Sequence, residues 1–98
     1  MAAELSARIV DNPDGHRYEL YLGEDRAGVI EYRSEPGVVA LIHTEIDPAF
    51  EGRGLATRLV AGALEDIRSR GQRLVAMCPF VRAYLRRHPA ERDLLNIH

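Results

Sequence analysis

Residues 45–57 read EIDPAFEGRGLAT, and this stretch decides how the chain folds. The run leading into it, VVALIHTEI (38–46), is apolar and rich in β-branched residues, as a strand is. The run leaving it changes period. Leu55, Leu59, Ala63 and Ile67 recur every fourth residue, with Val60 and Leu64 beside them. That spacing makes one apolar face of a helix, from near Gly54 to about Arg70. Between strand and helix lie Gly52, Arg53 and Gly54. Strand, glycine loop and helix N-terminus together can hold a phosphate: glycine lets the backbone come close, and first-turn N–H groups have no helical partner.

Downstream, Gly71 suits the residue that ends the helix. Leu74 to Met77 then reads as a strand. Because a helix separates it from the 38–46 strand, the two should be parallel neighbours with a right-handed crossover. Pro79 suits the first position of a second helix, which runs through Val81, Tyr84 and Leu85 and should stop at His88 before Pro89. In the tail from Glu91 to His98, Leu94, Leu95 and Ile97 are expected to pack back on the body. Upstream, strands are predicted at Ala7–Val10, Arg17–Leu22 and Ala27–Arg33. Turns at Asp11–Gly15 (DNPDG), Gly23–Arg26 and Ser34–Gly37 (SEPG) join them to one another and to Val38–Ile46. The predicted class is α+β: an antiparallel four-strand meander followed by a β-α-β-α unit with one parallel pair. At 98 residues, positions 1–98 are expected to form one domain.

Composition narrows the function. A net charge of -2 argues against a general nucleic-acid binder. No apolar run reaches the length of a membrane span, and MAAELSARIV has no signal-peptide pattern, so a cytoplasmic home is expected. The single Cys78 excludes an internal disulfide and a multi-cysteine metal site, and no metal is expected. All 13 basic residues are arginine. Without lysine, no side-chain amine is present to act as a base, form a Schiff base or become self-acetylated.

Ligands of mixed α/β sheets bind at the carboxyl ends of parallel strands. Here one such strand ends at the glycine loop and the other at Cys78, so two helix N-termini should face one crevice. Cys78 is then either a small buried core residue or a thiol whose ionised form a helix N-terminus favours. In the 38–46 strand, alternation places Leu41, His43 and Glu45 on one face and Ile42, Thr44 and Ile46 on the other. His43 and Glu45 could be a general base and its orienting partner, or a structural pair. Arg53, Arg58, Arg82, Arg86 and Arg87 could gather near a phosphate, although for each one surface solvation is the simpler role.

The whole chain resembles the small single-domain GNAT-like N-acetyltransferases. HTEIDPAFEGRGLATRLV, VAMCPFVRAYLRRHP and the spacing between them carry the resemblance. In that superfamily the loop reads Gln or Arg, two residues, Gly, one residue, then Gly or Ala. Gly54 and Ala56 fill the last two places, whereas Glu51 stands where Gln or Arg should be and is expected to point away from the ligand. The resemblance implies binding of acetyl-CoA, and acetyl transfer to an amine. The backbone from Gly52 through Arg53, Gly54, Leu55 and Ala56 to Thr57 would take the pyrophosphate, and the strand end near Ile46 the pantetheine arm. Arg58, Tyr84 and Arg87 are counted with the CoA-binding residues. Cys78 would lie near the thioester, so the candidate catalytic residues are Cys78, His43 and Glu45. Larger members carry two helices after the first strand that build the acceptor site; here DNPDG replaces them. The acceptor site should therefore be open, or completed by a protein partner. The competing function is a CoA-binding module that senses acyl-CoA or docks on a partner without catalysis.

Overall fold

The computed structural model describes residues 6–96, so Met1–Leu5 and the expected packing of Ile97 lie outside the described residues. Five strands, β1 (Ala7–Asn12), β2 (Arg17–Leu22), β3 (Asp25–Glu35), β4 (Val38–Ile46) and β5 (Arg73–Ala76), form one sheet in sequential order. The first four pair antiparallel, and β4 pairs with β5 in parallel. Helix α1 (Leu55–Ser69) crosses over between β4 and β5, and α2 (Pro79–Arg87) follows β5. Short 3-10 turns occupy Pro48–Phe50 and Pro89–Leu94. β1 and β3 are longer than the sequence pattern predicts. Asp11 and Asn12 of the expected turn instead pair with Tyr18 and Arg17, and Ser34 and Glu35 pair with Val39 and Val38.

α1 buries Leu59, Val60, Ala63, Leu64 and Ile67. They meet Tyr18, Leu20, Ile30, Leu41 and Leu74 of the sheet in one core, which Val81 and Leu85 of α2 and Leu94 of the tail also join. After α2 the chain returns beside β5, where Leu95 bridges Leu74 in parallel and the Asn96 N–H donates to the Leu74 carbonyl at 2.8 Å. Residues of both helices join this one core, which places α1 and α2 on the same face of the sheet. Among the described residues no helix covers the other face, and none is long and apolar enough to cross a membrane.

On that open face the Glu19 residue is only 5% exposed. Its carboxylate accepts hydrogen bonds from Asn12 at 3.0 Å, Arg17 at 2.7 Å and Tyr21 at 2.8 Å. The Asn12 bond foremost, then those from Arg17 and Tyr21, outweigh burial and pull its pKa from 4.5 down to about 2. A depressed carboxyl pKa stabilises the fold above the unfolded value, and that contribution is lost as pH falls through the folded value. Glu19 should thus contribute on the order of 1–3 kcal/mol that drains between about pH 4.5 and 2. Urea melts at pH 5 and pH 3 should show wild type losing more stability than Glu19→Gln. Equal losses would mean the network does not hold the charge.

Candidate functional site

β4 and β5 are joined by four residue pairs, the last being Leu41 with Ala76. There the ladder ends. The Leu41 carbonyl accepts the N–H groups of both Met77 and Cys78, each at 2.9 Å. β4 runs on to Ile46 with no strand beside it on that side, so its backbone there is an open edge. Such an edge can pair with any extended, amide-bearing chain.

On its other side β4 carries one residue more than β3. Leu41 faces Tyr32, His43 faces Glu31, and Ile42 is the extra residue. A one-residue bulge turns the strand's alternation over. This corrects the expectation that His43 and Glu45 share a face with Leu41. Leu41 is buried in the core, whereas His43 and Glu45 are exposed on the open face, and Thr44, opposite buried Ile30, takes the helix side. His43 Nε2 and Glu45 Oε1 lie 3.8 Å apart with both side chains more than half exposed. They form a loose surface pair rather than a buried one.

Beyond Ile46 the Asp47 N–H donates to the Ala27 carbonyl, and the Asp47 carboxylate accepts from the Ala49 N–H at 2.9 Å, which starts the 3-10 turn. Gly52 and Gly54 then take φ of 84° and 72°, and Gly54 is the N-cap of α1. A Cβ at either position would meet nothing within 4 Å, so both glycines border open space. That space is a crevice of about 300 Å³. Ile46, Gly52, Gly54, Leu55, Ala56 and Thr57 line it, as expected from the sequence. Phe50, Glu51 and Phe80 also line it, which the sequence reading missed. Glu51 is thus among the residues that border the crevice. Phe80 belongs to the first turn of α2, so both helix N-termini do meet at this crevice.

Four expected CoA-binding residues do not line it. The Arg53 guanidinium lies over the Phe50 ring, 5.5 Å from its centre, and Arg58 is exposed on α1. Tyr84 is buried and stacks on the His88 ring with centres 4.0 Å apart. Arg87 stands seven residues along α2 from Phe80, roughly 10 Å at 1.5 Å per residue. Cys78 is the N-cap of α2 and is only 2% exposed. Its Sγ lies 3.2 Å from Thr44 Oγ1, behind the open edge of β4, and it does not line the crevice. The strand alternation carried a signal for Thr44, but only once the bulge is known. Among the described residues no three His, Cys, Asp or Glu side chains could hold a metal ion.

A second crevice, of about 220 Å³, is bordered by Glu45 and Asp47. Ile46 and Glu45 are consecutive on β4, so neighbouring side chains serve two different crevices.

The fold is similar to that of a GCN5-like protein from Staphylococcus aureus, solved by NMR in solution and described as a candidate N-acetyltransferase. The TM-score is 0.65 at 19% sequence identity, with 94% of this chain and 88% of that chain covered. The family model for the GCN5-related N-acetyl-transferase matches residues 17–94, from the start of β2 to the last residue of the second 3-10 turn. That span holds the glycine loop, the open edge of β4 and both helices; the chain belongs to the GCN5-related N-acetyltransferase family.

Proposed function

We propose that the protein transfers the acetyl group of acetyl-CoA to an amine. The observation that carries this is the 300 Å³ crevice, where two helix N-termini meet beside a strand with one free edge. Its glycines leave open space where side chains would otherwise stand, which fits a phosphate approaching backbone N–H groups. The crevice suits the pyrophosphate and the near part of the arm, and the edge of β4 from Ile42 to Ile46 suits the amide-bearing arm itself. When bound, acetyl-CoA supplies an activated acyl carbon. In the transfer the amine nitrogen bonds to that carbon, the carbon–sulfur bond breaks, and the sulfur leaves as thiolate. The proton released by the amine passes to His43 and is free to neutralise the thiolate.

Direct transfer is the reading that burial favours. Cys78 is enclosed against Thr44, whereas His43 is exposed on the side where an acceptor can approach. His43→Gln should lower kcat about a hundredfold at unchanged CoA affinity, as loss of a general base does. Cys78→Ala should change kcat by no more than about threefold. A Cys78→Ala variant that binds CoA but has no turnover would replace direct transfer with an acetyl-cysteine route.

The uncovered sheet face supports a second reading, in which the protein binds CoA or acyl-CoA without catalysis. Calorimetry with acetyl-CoA, together with an assay of acetyl release to a panel of amines, tests both. Binding accompanied by acetyl loss to an amine supports the enzyme, binding with no loss across a panel of amines supports the module, and no binding sinks both.

A further inference from the structure

We infer that Glu51 limits how tightly the protein holds CoA: its carboxylate opposes the phosphates that the N–H groups of the loop attract. The step rests on the reading of the 300 Å³ crevice as the CoA site. Among the described residues Glu51 is the only ionisable one that lines this crevice, and no basic residue does. Consecutive Cα atoms stand about 3.8 Å apart, so Glu51 is a direct neighbour of Gly52, which also lines the crevice. Screening at physiological salt acts over about 8 Å, longer than a glutamate side chain. The charge therefore reaches a phosphate held at the loop from any rotamer.

Among the described residues no ion pair includes Glu51, so contact does not cancel its charge. Arg53, two residues on, has its guanidinium over the Phe50 ring, 5.5 Å from the centre. It attracts phosphate from the rim, so Arg53 and Glu51 act in opposite senses. The hold is weaker than Arg53 and the N–H groups alone would give. Nor does Glu51 serve α1 as a cap, because the helix has no side-chain cap and no acid in its first turn. The Glu51 N–H donates to the Pro48 carbonyl at 3.4 Å, so the backbone closes the 3-10 turn and the side chain can be changed without opening it. Acetyl-CoA and CoA carry the same phosphates, and Glu51 loosens both by one factor. In turnover that appears in KM for acetyl-CoA and not in the chemical step.

The test is calorimetric titration of CoA into wild type, Glu51→Gln, Glu51→Asp and Glu51→Arg at about 0.01 M and about 1 M salt, where screening lengths are about 30 and 3 Å. At low salt Glu51→Gln should bind CoA about three- to tenfold tighter, since one exposed charge pair is worth up to about fivefold and CoA brings more than one phosphate charge. Glu51→Arg reverses the charge and should gain about the square of that factor. Glu51→Asp keeps the charge and should stay within about twofold of wild type. At high salt the four Kd values should converge to within about twofold. An affinity unchanged or weaker in Glu51→Gln at low salt would overturn the inference, because the carboxylate would then stand clear of the phosphates. A gain that survives undiminished at high salt would overturn it too, since packing rather than charge would be at work. Inorganic pyrophosphate, followed by NMR at the amides of Gly52–Thr57, separates Glu51 from the CoA reading. If neither wild type nor any variant binds CoA, the acetyltransferase reading falls. Pyrophosphate shifts that saturate earlier in Glu51→Gln than in wild type would still uphold the role of Glu51 at the loop. Pyrophosphate shifts that are equal in all four proteins, or absent, overturn it.

Discussion

Gly54→Val abolishes measurable CoA binding while the protein still folds: that is the result expected if the glycine loop anchors the cofactor. Gly54 sits at φ 72°, a left-handed conformation that a β-branched residue adopts only under strain. A Cβ added there meets no protein atom within 4 Å, and Gly54 lines the crevice proposed to hold the phosphate. Losing two charge-assisted bonds to backbone N–H groups, at about 1.5–3 kcal/mol each, weakens binding by more than about a hundredfold. Gly54→Ala carries less bulk and should weaken binding by about tenfold. Calorimetric titration with CoA measures both, and a thermal melt of each variant confirms folding. A folded Gly54→Val variant with wild-type affinity would mean that CoA binds elsewhere.

Leu41→Ala should damage the fold severely. Leu41 is 0% exposed and stands where the meander meets the parallel pair. Its carbonyl, which holds Met77 and Cys78, is untouched by the substitution, so the effect isolates the side chain. Emptying a buried leucine site costs about 2–5 kcal/mol. A domain of this size has about 5–15 kcal/mol in total, so the melting temperature should fall by roughly 10–25 °C. Val10→Ala on the open face, where Val10 is 37% exposed, should change stability by about 0.5 kcal/mol or less. Comparable losses in the two variants would contradict the placement of the core.

Much of this was legible in the sequence because period is a local property. β2 and β4 begin and end where alternation does, and α1 buries the residues its four-residue spacing selects. The crevice was legible too, since glycines at 52 and 54 lie between a strand and a helix and a second strand follows that ends at another helix start. The bulge at Ile42 was not. Leu-Ile-His-Thr-Glu-Ile alternates equally well in either phase, and an apolar extra residue looks like any other member of the strand. Only the register against β3 fixes the phase. Tyr84 misled for a different reason: its helical spacing places it on an apolar face, and that face is spent on the core and on His88. Phe80 escaped because its contact with the loop is set by how two helices converge, which no local pattern encodes.

The extra residue in β4 also makes the strand divisible. Before it, odd-numbered positions such as Val39 and Leu41 are locked into the interior; after it, odd-numbered His43 and Glu45 face water. Variation at 43 and 45 is thereby uncoupled from the demands of packing. A lineage, or a designer, can rewrite the surface proposed to meet the acceptor while leaving folding intact, and on that proposal new substrate preferences become reachable by single steps.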